Sequence, residues 1–339
     1  MDKYNNIHAC FEIFNSADKL IITGHTNPDG DAIGSALALY RFAKNCGKQS
    51  RILFDSPLPH NMHFLNNGEY EVYDSTEHGG VIAGSDAVFI LDLNDSRRLK
   101  RLEKPILDSG KRKVVIDHHL EPQDFANYYY TDNNASSTAE LIYNFIKFTD
   151  YDKLDKGVAE AIYTGILTDT GSFRFPRTDA DLHRIIADLI DKGADPVKIY
   201  DSVYNQNSLD TTRLLGQALN QLKLYCDGKL CVMAISRDML RNSNATNEDL
   251  EGFVEKTLTL KGVQIGVMIS EMDYQDEIRV SLRSKGEFSV REIAMEFGGG
   301  GHFHASGARC FNCSLEEARS KVVQYCAELI HRQLKKSNN

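Results

Sequence analysis

Four short segments, far apart in the chain, place acidic and imidazole side chains where they can converge on a cation. They read His25-Thr26-Asn27-Pro28-Asp29-Gly30-Asp31, Asp92-Leu93-Asn94-Asp95, Asp117-His118-His119 and Asp169-Thr170-Gly171. In the first, Pro28 and Gly30 enforce a tight, irregular backbone that can turn His25, Asp29 and Asp31 inward. Asp31 also lies near the start of the next helix, where a carboxylate is electrostatically favoured. A single carboxylate leaving a strand, such as Asp92, can bridge two ions through its two oxygens. In the third segment, a bend after Ile116 can present two imidazoles to one cleft. One would ligate a metal while its neighbour meets the substrate, and Asp117 would orient a ligand from behind. Each residue alone could be a turn or cap, but gathered carboxylates and imidazoles call for a cation between them. Mixed imidazole and carboxylate donors favour Mn²⁺, with Mg²⁺ and Co²⁺ as alternatives. Two ions roughly 3.5–4 Å apart would activate water and steady the opposing oxygens of an in-line phosphoryl displacement.

Three of these segments directly follow strand-like runs, Leu20–Thr23, Ala87–Leu91 and Val114–Ile116. In open α/β sheets, ligands bind outside the carboxyl ends of the strands. Arg51–Phe54 and Tyr70–Tyr73 add two short strands. Between them Ala32–Asn45 reads as a helix, with Ile33, Ala36, Leu37, Leu39 and Tyr40 on its apolar face. A helix over Val158–Leu167 ends at the Thr168–Gly171 turn, so Asp169 should project from a helix end. Asp181–Gly193 is a further amphipathic helix, and residues 197–222 look helical without strand signal. The second half changes character. Gln221–Cys226 and Lys229–Ala234 flank Asp227-Gly228, a pair expected to supply the positive φ angles of a hairpin turn. Gln264–Met272 and Glu277–Arg283 form a second expected hairpin, and Ser289…Glu292 and Ser314…Glu317 read as capping boxes. The fold class is therefore α/β. A parallel-sheet N-terminal metal domain with helices on both faces spans 1–195, a helical connector 196–220, and a smaller mixed α/β C-terminal domain 221–339.

A chain of 339 residues, 42% hydrophobic and 26% charged, suits two soluble globular domains. Its start has no signal-peptide pattern, no run reaches the ~20 apolar residues of a membrane span, and the 7 scattered cysteines suit a reducing cytoplasm. A net charge of −9 argues against a grip on long nucleic acid, which needs a basic face. Short anionic substrates remain compatible, and so does a homodimer. Gly298-Gly299-Gly300-Gly301 would let backbone N–H groups approach an anion. Arg283, ending a strand, is the best side chain for gripping a terminal phosphate or a base. Arg279 shares that face and could be structural, and Arg97 and Arg98 lie close after Asp92. Cys310 and Cys313 lack a second pair and read as structural.

The ordered segments are similar to those of the DHH phosphoesterase superfamily, whose name is the Asp117-His118-His119 triplet. Gly298–Gly301 with His302, followed by Ala305-Ser306-Gly307, resembles the glycine-rich signature of the DHH-associated C-terminal domain. The chain most resembles the branch of nano-RNases and 3′-phosphoadenosine 5′-phosphate phosphatases, often called exopolyphosphatase-related. By motif position, the resemblance implies one ion on His25, Asp29 and Asp92, and a second on Asp31, Asp92, His118 and Asp169. It implies that His119 contacts the scissile phosphate. Arg283, Gly298–Gly301, His302 and Arg98 are the candidate substrate-binding residues, with a solvated charge run as the alternative reading of Arg97 and Arg98. This chain departs from the signature at Phe303-His304, where a small or basic residue often stands. The expected activity is hydrolysis of short oligoribonucleotides and of 3′-phosphoadenosine 5′-phosphate. Rival activities are hydrolysis of linear or cyclic dinucleotides, of pyrophosphate or polyphosphate, or of single-stranded DNA. A non-catalytic nucleotide-binding regulator would be expected to have lost a ligand, and all six are present.

Overall fold

The computed structural model describes residues 3–272, 277–301 and 303–337. The chain divides into two compact units, residues 1–206 and 207–339. In the first, six strands form one parallel sheet: β1 (Lys19–Thr23), β2 (Gln49–Phe54), β3 (Tyr70–Val72), β4 (Ala87–Leu91), β5 (Arg112–Asp117) and β6 (Tyr128–Thr131). Their order is β3-β2-β1-β4-β5-β6. The helices are α1 (Ile7–Ser16), α2 (Gly30–Asn45), α3 (Ser75–Ala83), α4 (Glu103–Leu107), α5 (Thr138–Asp150), α6 (Lys156–Asp169), α7 (Ala180–Asp191) and α8 (Pro196–Tyr204).

Both faces of the sheet are covered, as a buried parallel sheet requires. Leu20, Ile22, Phe54, Phe89 and Ile116 face one core with residues of α1, α2, α5, α6, α7 and α8. Ile21, Leu53, Val88, Ile90 and Val115 face the other, against Ile82 of α3, Ile106 of α4 and Leu99 and Leu102 of a short 3₁₀ segment. Strand order reverses between β1 and β4, which opens a crevice at their carboxyl ends.

One helix crossing matters most to that crevice. A Cβ on Gly34 of α2 would lie 2.5 Å from the Ala161 carbonyl oxygen and 2.8 Å from the Gly165 nitrogen, both in α6. A Cβ on Gly165 would meet Ala139 and, at 3.0 Å, Asp31 Oδ1. Only bare backbone lets α2 and α6 approach so closely. This crossing brings Asp31, in the first turn of α2, towards Asp169 at the end of α6.

In the second unit β7 (Lys223–Tyr225), β8 (Leu230–Ile235), β9 (Ile265–Glu271), β10 (Glu277–Ser284), β11 (Gly300–Gly301) and β12 (Ala305–Phe311) form a mixed sheet. Its order is β11-β12-β10-β9-β8-β7, with β8 and β9 parallel and the remaining pairs antiparallel. One face packs on α12 (Val290–Glu296) and α13 (Leu315–Ser337). The other packs on α9 (Leu209–Asn220), α10 (Arg237–Asn242) and α11 (Phe253–Thr257). Both expected hairpins are present, β7–β8 and β9–β10.

Three local expectations differ from what is found. The stretch read as a connector is two helices, and the chain divides between them at Gln206/Asn207: α8 belongs to the first unit and α9 to the second. The β7–β8 turn is centred on Cys226 and Asp227, each at φ +53°, with Gly228 following at +80°. Gly228 N–H closes it on the Tyr225 carbonyl at 3.1 Å. Asp-Gly thus sits one residue late, and Cys226 carries a left-handed conformation that glycine would adopt more readily. Ser314 and Glu317 make the expected reciprocal cap, with Ser314 N–H donating to Glu317 and Glu317 N–H to Ser314 Oγ. Ser289 makes no side-chain cap bond to α12.

No helix among the described residues is long and apolar enough to cross a membrane. Gly34→Ala should destabilise the first unit. Overpacking against fixed backbone costs about 1–3 kcal/mol, above the ~1 kcal/mol that Ala gains over Gly in a helix. Thermal melting should show a lower midpoint; an unchanged or higher one would mean that the crossing tolerates a methyl group.

Candidate metal centre

Each functional side chain is delivered by the end of an element. His25 follows β1, Asp29 caps α2, Asp31 lies in its first turn, Asp92 follows β4, Asp117 ends β5, and Asp169 ends α6. The cap of α2 is Asp29, whose Oδ1 accepts from the Asp31 and Ala32 N–H groups at 3.1 Å. Asp31 is free of that duty and wholly buried. Its two oxygens accept from the backbone N–H groups of Thr138 (2.7 Å) and Ala139 (2.8 Å), donors at the start of α5 that have no partner within the helix.

Asp92 is the hub. Its Oδ2 lies 3.4 Å from His25 Nε2, and its Oδ1 lies 3.8 Å from His118 Nε2 and 3.6 Å from His119 Nδ1. Its backbone is left-handed, φ +59°, which Asp tolerates better than most residues. The Asp92 N–H donates to the Ile116 carbonyl at 3.0 Å, tying the β4 exit to β5. His118 Nε2 lies 3.4 Å from Asp169 Oδ2 and 4.0 Å from Asp31 Oδ2, while its Nδ1 faces the Ala135 carbonyl at 3.4 Å. His25 Nε2 lies 3.9 Å from Asp29 Oδ2, and its Nδ1 faces the Thr26 carbonyl at 2.9 Å.

The donors therefore form overlapping groups: His25, Asp29 and Asp92; Asp31, His118 and Asp169; and Asp92, His118 and His119. Within each group, one donor atom per residue lies within 4.8 Å of the others. Asp92 is common to the first and third groups, and His118 to the second and third.

The electrostatics of the bare cluster are those of a cation site. Burial, and then the charges of Asp92, Asp169 and Asp29, push the Asp31 carboxyl well above the usual carboxylate range. Burial, with Asp29 and Asp92, does the same to Asp169. Asp92 moves the other way. Burial opposes its ionisation, yet His25, His119 and His118 together hold it well below the ordinary range. Burial lowers the His118 pKa, leaving a neutral imidazole suited to ligation. Four carboxylates and two imidazoles, all buried except Asp29 and Asp169, fit hard divalent ions, whose charge would replace the protons Asp31 and Asp169 otherwise retain.

His119 stands apart from the other imidazoles. Its Nδ1 is 2.6 Å from Asp117 Oδ1, and Asp117 is fully buried, with Oδ2 lacking any hydrogen-bond partner. Asp117 therefore backs His119 directly. Despite burial, Asp117 and Asp92 push the His119 pKa up to about 9, which makes it an imidazolium. His119 also lines a mostly polar cavity of about 340 Å³ whose other walls include Glu121, Asp132, Asn133 and Asn134.

The other expected substrate residues are more varied. Arg97 pairs with Asp95 at 2.6 Å. Arg98 is half-buried, its carbonyl accepts from Thr26 N–H at 2.9 Å, and its charge is felt by both His25 and His119. Arg283 Nε pairs with Glu255 at 2.8 Å and Nη1 donates to its own preceding carbonyl, on Leu282. The glycine run is partly structural. Gly298 and Gly299 N–H groups donate to the Met295 and Ala294 carbonyls, closing α12, and Gly300 and Gly301 pair with β12. A Cβ on Gly299 would come 2.1 Å from the Gly307 carbonyl oxygen, whereas Gly298 and Gly300 face open space. His302 lies outside the described residues.

Sequence reasoning missed the start of α5. Ser137 and Glu140 form a cap there, with Glu140 N–H on Ser137 Oγ and Ser136 N–H on Glu140 Oε2. The Ser-x-x-Glu spacing was a usable signal. Nothing in it indicated that the same turn grips Asp31 and Asp92.

Family comparison agrees with this geometry. The N-terminal domain model of the DHH family matches residues 19–166, and the DHHA1 domain model matches residues 227–329. A crystal structure of an exopolyphosphatase-related protein from Bacteroides fragilis is 34% identical, with 97% of each chain covered and a TM-score of 0.91. The chain belongs to the DHH family. It is similar to the bifunctional oligoribonuclease and PAP phosphatase NrnA of Thermus thermophilus, 29% identical over 92% of this chain and 90% of that protein. The protein of the same name from Bacillus subtilis is 28% identical over 87% of this chain and 90% of that one. This DHH protein is a hydrolase acting on phosphoester bonds. The segment matched to the DHH domain carries every residue of the acidic and imidazole cluster except Asp169, which lies just past its end, and the segment matched to the DHHA1 domain carries the glycine run and Arg283.

Asp92→Ala removes the donor common to two groups. Titration of metal-stripped protein should show the variant holding fewer ions than the wild type, with hydrolysis abolished and the circular dichroism of the sheet retained. Near-normal activity with an unchanged ion count would remove Asp92 from the centre.

Proposed function

We propose that the protein is a Mn²⁺-dependent phosphodiesterase and phosphatase for short oligoribonucleotides and 3′-phosphoadenosine 5′-phosphate. The observation that carries this reading is Asp92, whose two oxygens face different partners, His25 on one side and His118 on the other. His25, Asp29 and Asp92 would hold one divalent ion; Asp31, Asp92, His118 and Asp169 would hold a second. Such a pair supplies Lewis acidity and makes water nucleophilic at neutral pH. The chain's own residues do the rest. His119, charged and held through Nδ1 by Asp117, is placed to bind a phosphoryl oxygen and to give a proton to the departing oxygen.

The cavity beside His119, about 340 Å³, is mostly polar, with amides from Asn5, Asn133 and Asn134 and carboxylates from Glu121 and Asp132. Arg98 is our candidate for a phosphate contact near the ions. Arg283, with Nη2 outside its two bonds, is our candidate in the second unit. The names of the relatives, both oligoribonuclease and PAP phosphatase, support the same substrate class.

A panel with Mn²⁺ tests the reading: di- to decaribonucleotides, 3′-phosphoadenosine 5′-phosphate, cyclic dinucleotides and polyphosphate. Di- to tetranucleotides and 3′-phosphoadenosine 5′-phosphate should turn over fastest, and turnover confined to polyphosphate would refute the proposal. On the dinucleotide, His119→Ala should lose roughly 10²–10⁴ in kcat, the usual worth of a positioned acid, with its ion count unchanged. Loss of an ion in that variant would make His119 a ligand.

A further inference from the structure

Two carboxylates of the centre come from unrelated places, Asp31 from α2 and Asp92 from the end of β4, yet one buried residue holds both. Thr138 is fully buried in the first turn of α5. Its backbone N–H donates to Asp31 Oδ2 at 2.7 Å, and its hydroxyl donates to Asp92 Oδ1 at 2.9 Å. A hydroxyl has one proton to give, and here it goes to a carboxylate. We infer that Thr138 is a positioning residue, which sets the plane of the Asp92 carboxylate so that its two oxygens address two different ions. The inference rests on the two-ion reading proposed above.

The geometry gives the reason. A carboxylate can rotate about its last side-chain bond with little preference of its own. With Oδ1 tethered to Thr138, that oxygen stays on the side of His118, at 3.8 Å, and Oδ2 is left opposite His25, at 3.4 Å. Released, the carboxylate of Asp92 could turn about that bond and carry its oxygens off the line between His118 and His25, and at least one of the two ions would lose its shared donor. The backbone at Asp92, at φ +59°, does not fix the side chain by itself. The turn that carries Thr138 is independently secured, by the Ser137–Glu140 cap and by the Asp31 carboxylate on the N–H groups of Thr138 and Ala139. The tether therefore has a rigid base. Hydrogen-bonding partners of this kind, one step behind the ligands, typically sustain about ten- to a hundredfold in metal affinity.

The test is calorimetric titration of metal-stripped protein with Mn²⁺, alongside thermal melting without metal. Thr138→Val keeps the shape and the backbone N–H and removes only the hydroxyl; Thr138→Ser keeps the hydroxyl. The wild type should take up two ions per chain. Thr138→Val should weaken uptake of one of them by about ten- to a hundredfold, and Thr138→Ser should restore most of that loss. A Thr138→Val variant that binds both ions as the wild type does would overturn the inference. So would a loss of affinity that Thr138→Ser fails to rescue and that parallels a fall in metal-free melting temperature, since that marks a merely structural role. A wild type that takes up fewer than two ions would refute the two-ion reading itself, a result distinct from either of these.

Discussion

The constraint on which the first unit depends is electrostatic. Four carboxylates and two imidazoles, most of them buried, meet at the carboxyl ends of β1, β4 and β5, and like charges at such distances cannot all persist without compensation. The bare cluster compensates with protons: burial and mutual repulsion keep Asp31 and Asp169 from ionising readily. The same repulsion suits the crevice to a cation. Stability and function pull against each other here, because an apolar filling would pack at lower cost.

Several features of the fold exist to sustain that cluster. Gly34 and Gly165 let α2 and α6 cross at backbone contact, and without the crossing Asp31 and Asp169 would not meet. Asp92 adopts a left-handed backbone at the point where the strand order reverses. The first turn of α5 turns two spare N–H groups and a hydroxyl towards the carboxylates. Asp117 places its buried carboxylate against His119, while His118 Nδ1 faces the Ala135 carbonyl. The two adjacent imidazoles thus have different supports, as the roles proposed for them require.

Much of this was legible in the sequence. The apolar runs before His25, Asp92 and Asp117 announced the strands, and strand ends in a parallel sheet announced convergence. The exit of Asp169 from a helix end was equally readable from the Thr168–Gly171 turn. The rest was hidden for physical reasons. Whether Asp29 or Asp31 caps α2 depends on a backbone angle that the tight Pro-Asp-Gly turn does not specify. The grip of α5 on Asp31 and Asp92 is tertiary, between residues more than forty positions apart, and no local pattern encodes it. The glycine run looked like an anion cradle, but two of its N–H groups finish α12 and two of its residues pair with β12. Composition cannot tell a glycine that admits a ligand from one that admits a neighbouring strand.

The central claim, that Asp92 joins two cations in one crevice, is tested most directly by anomalous diffraction from crystals equilibrated with Mn²⁺. Two anomalous peaks should flank the Asp92 carboxylate, roughly 3.5–4 Å apart, one beside His25 and Asp29 and the other beside Asp31, His118 and Asp169. A single peak, or two peaks of which Asp92 touches only one, would contradict the account.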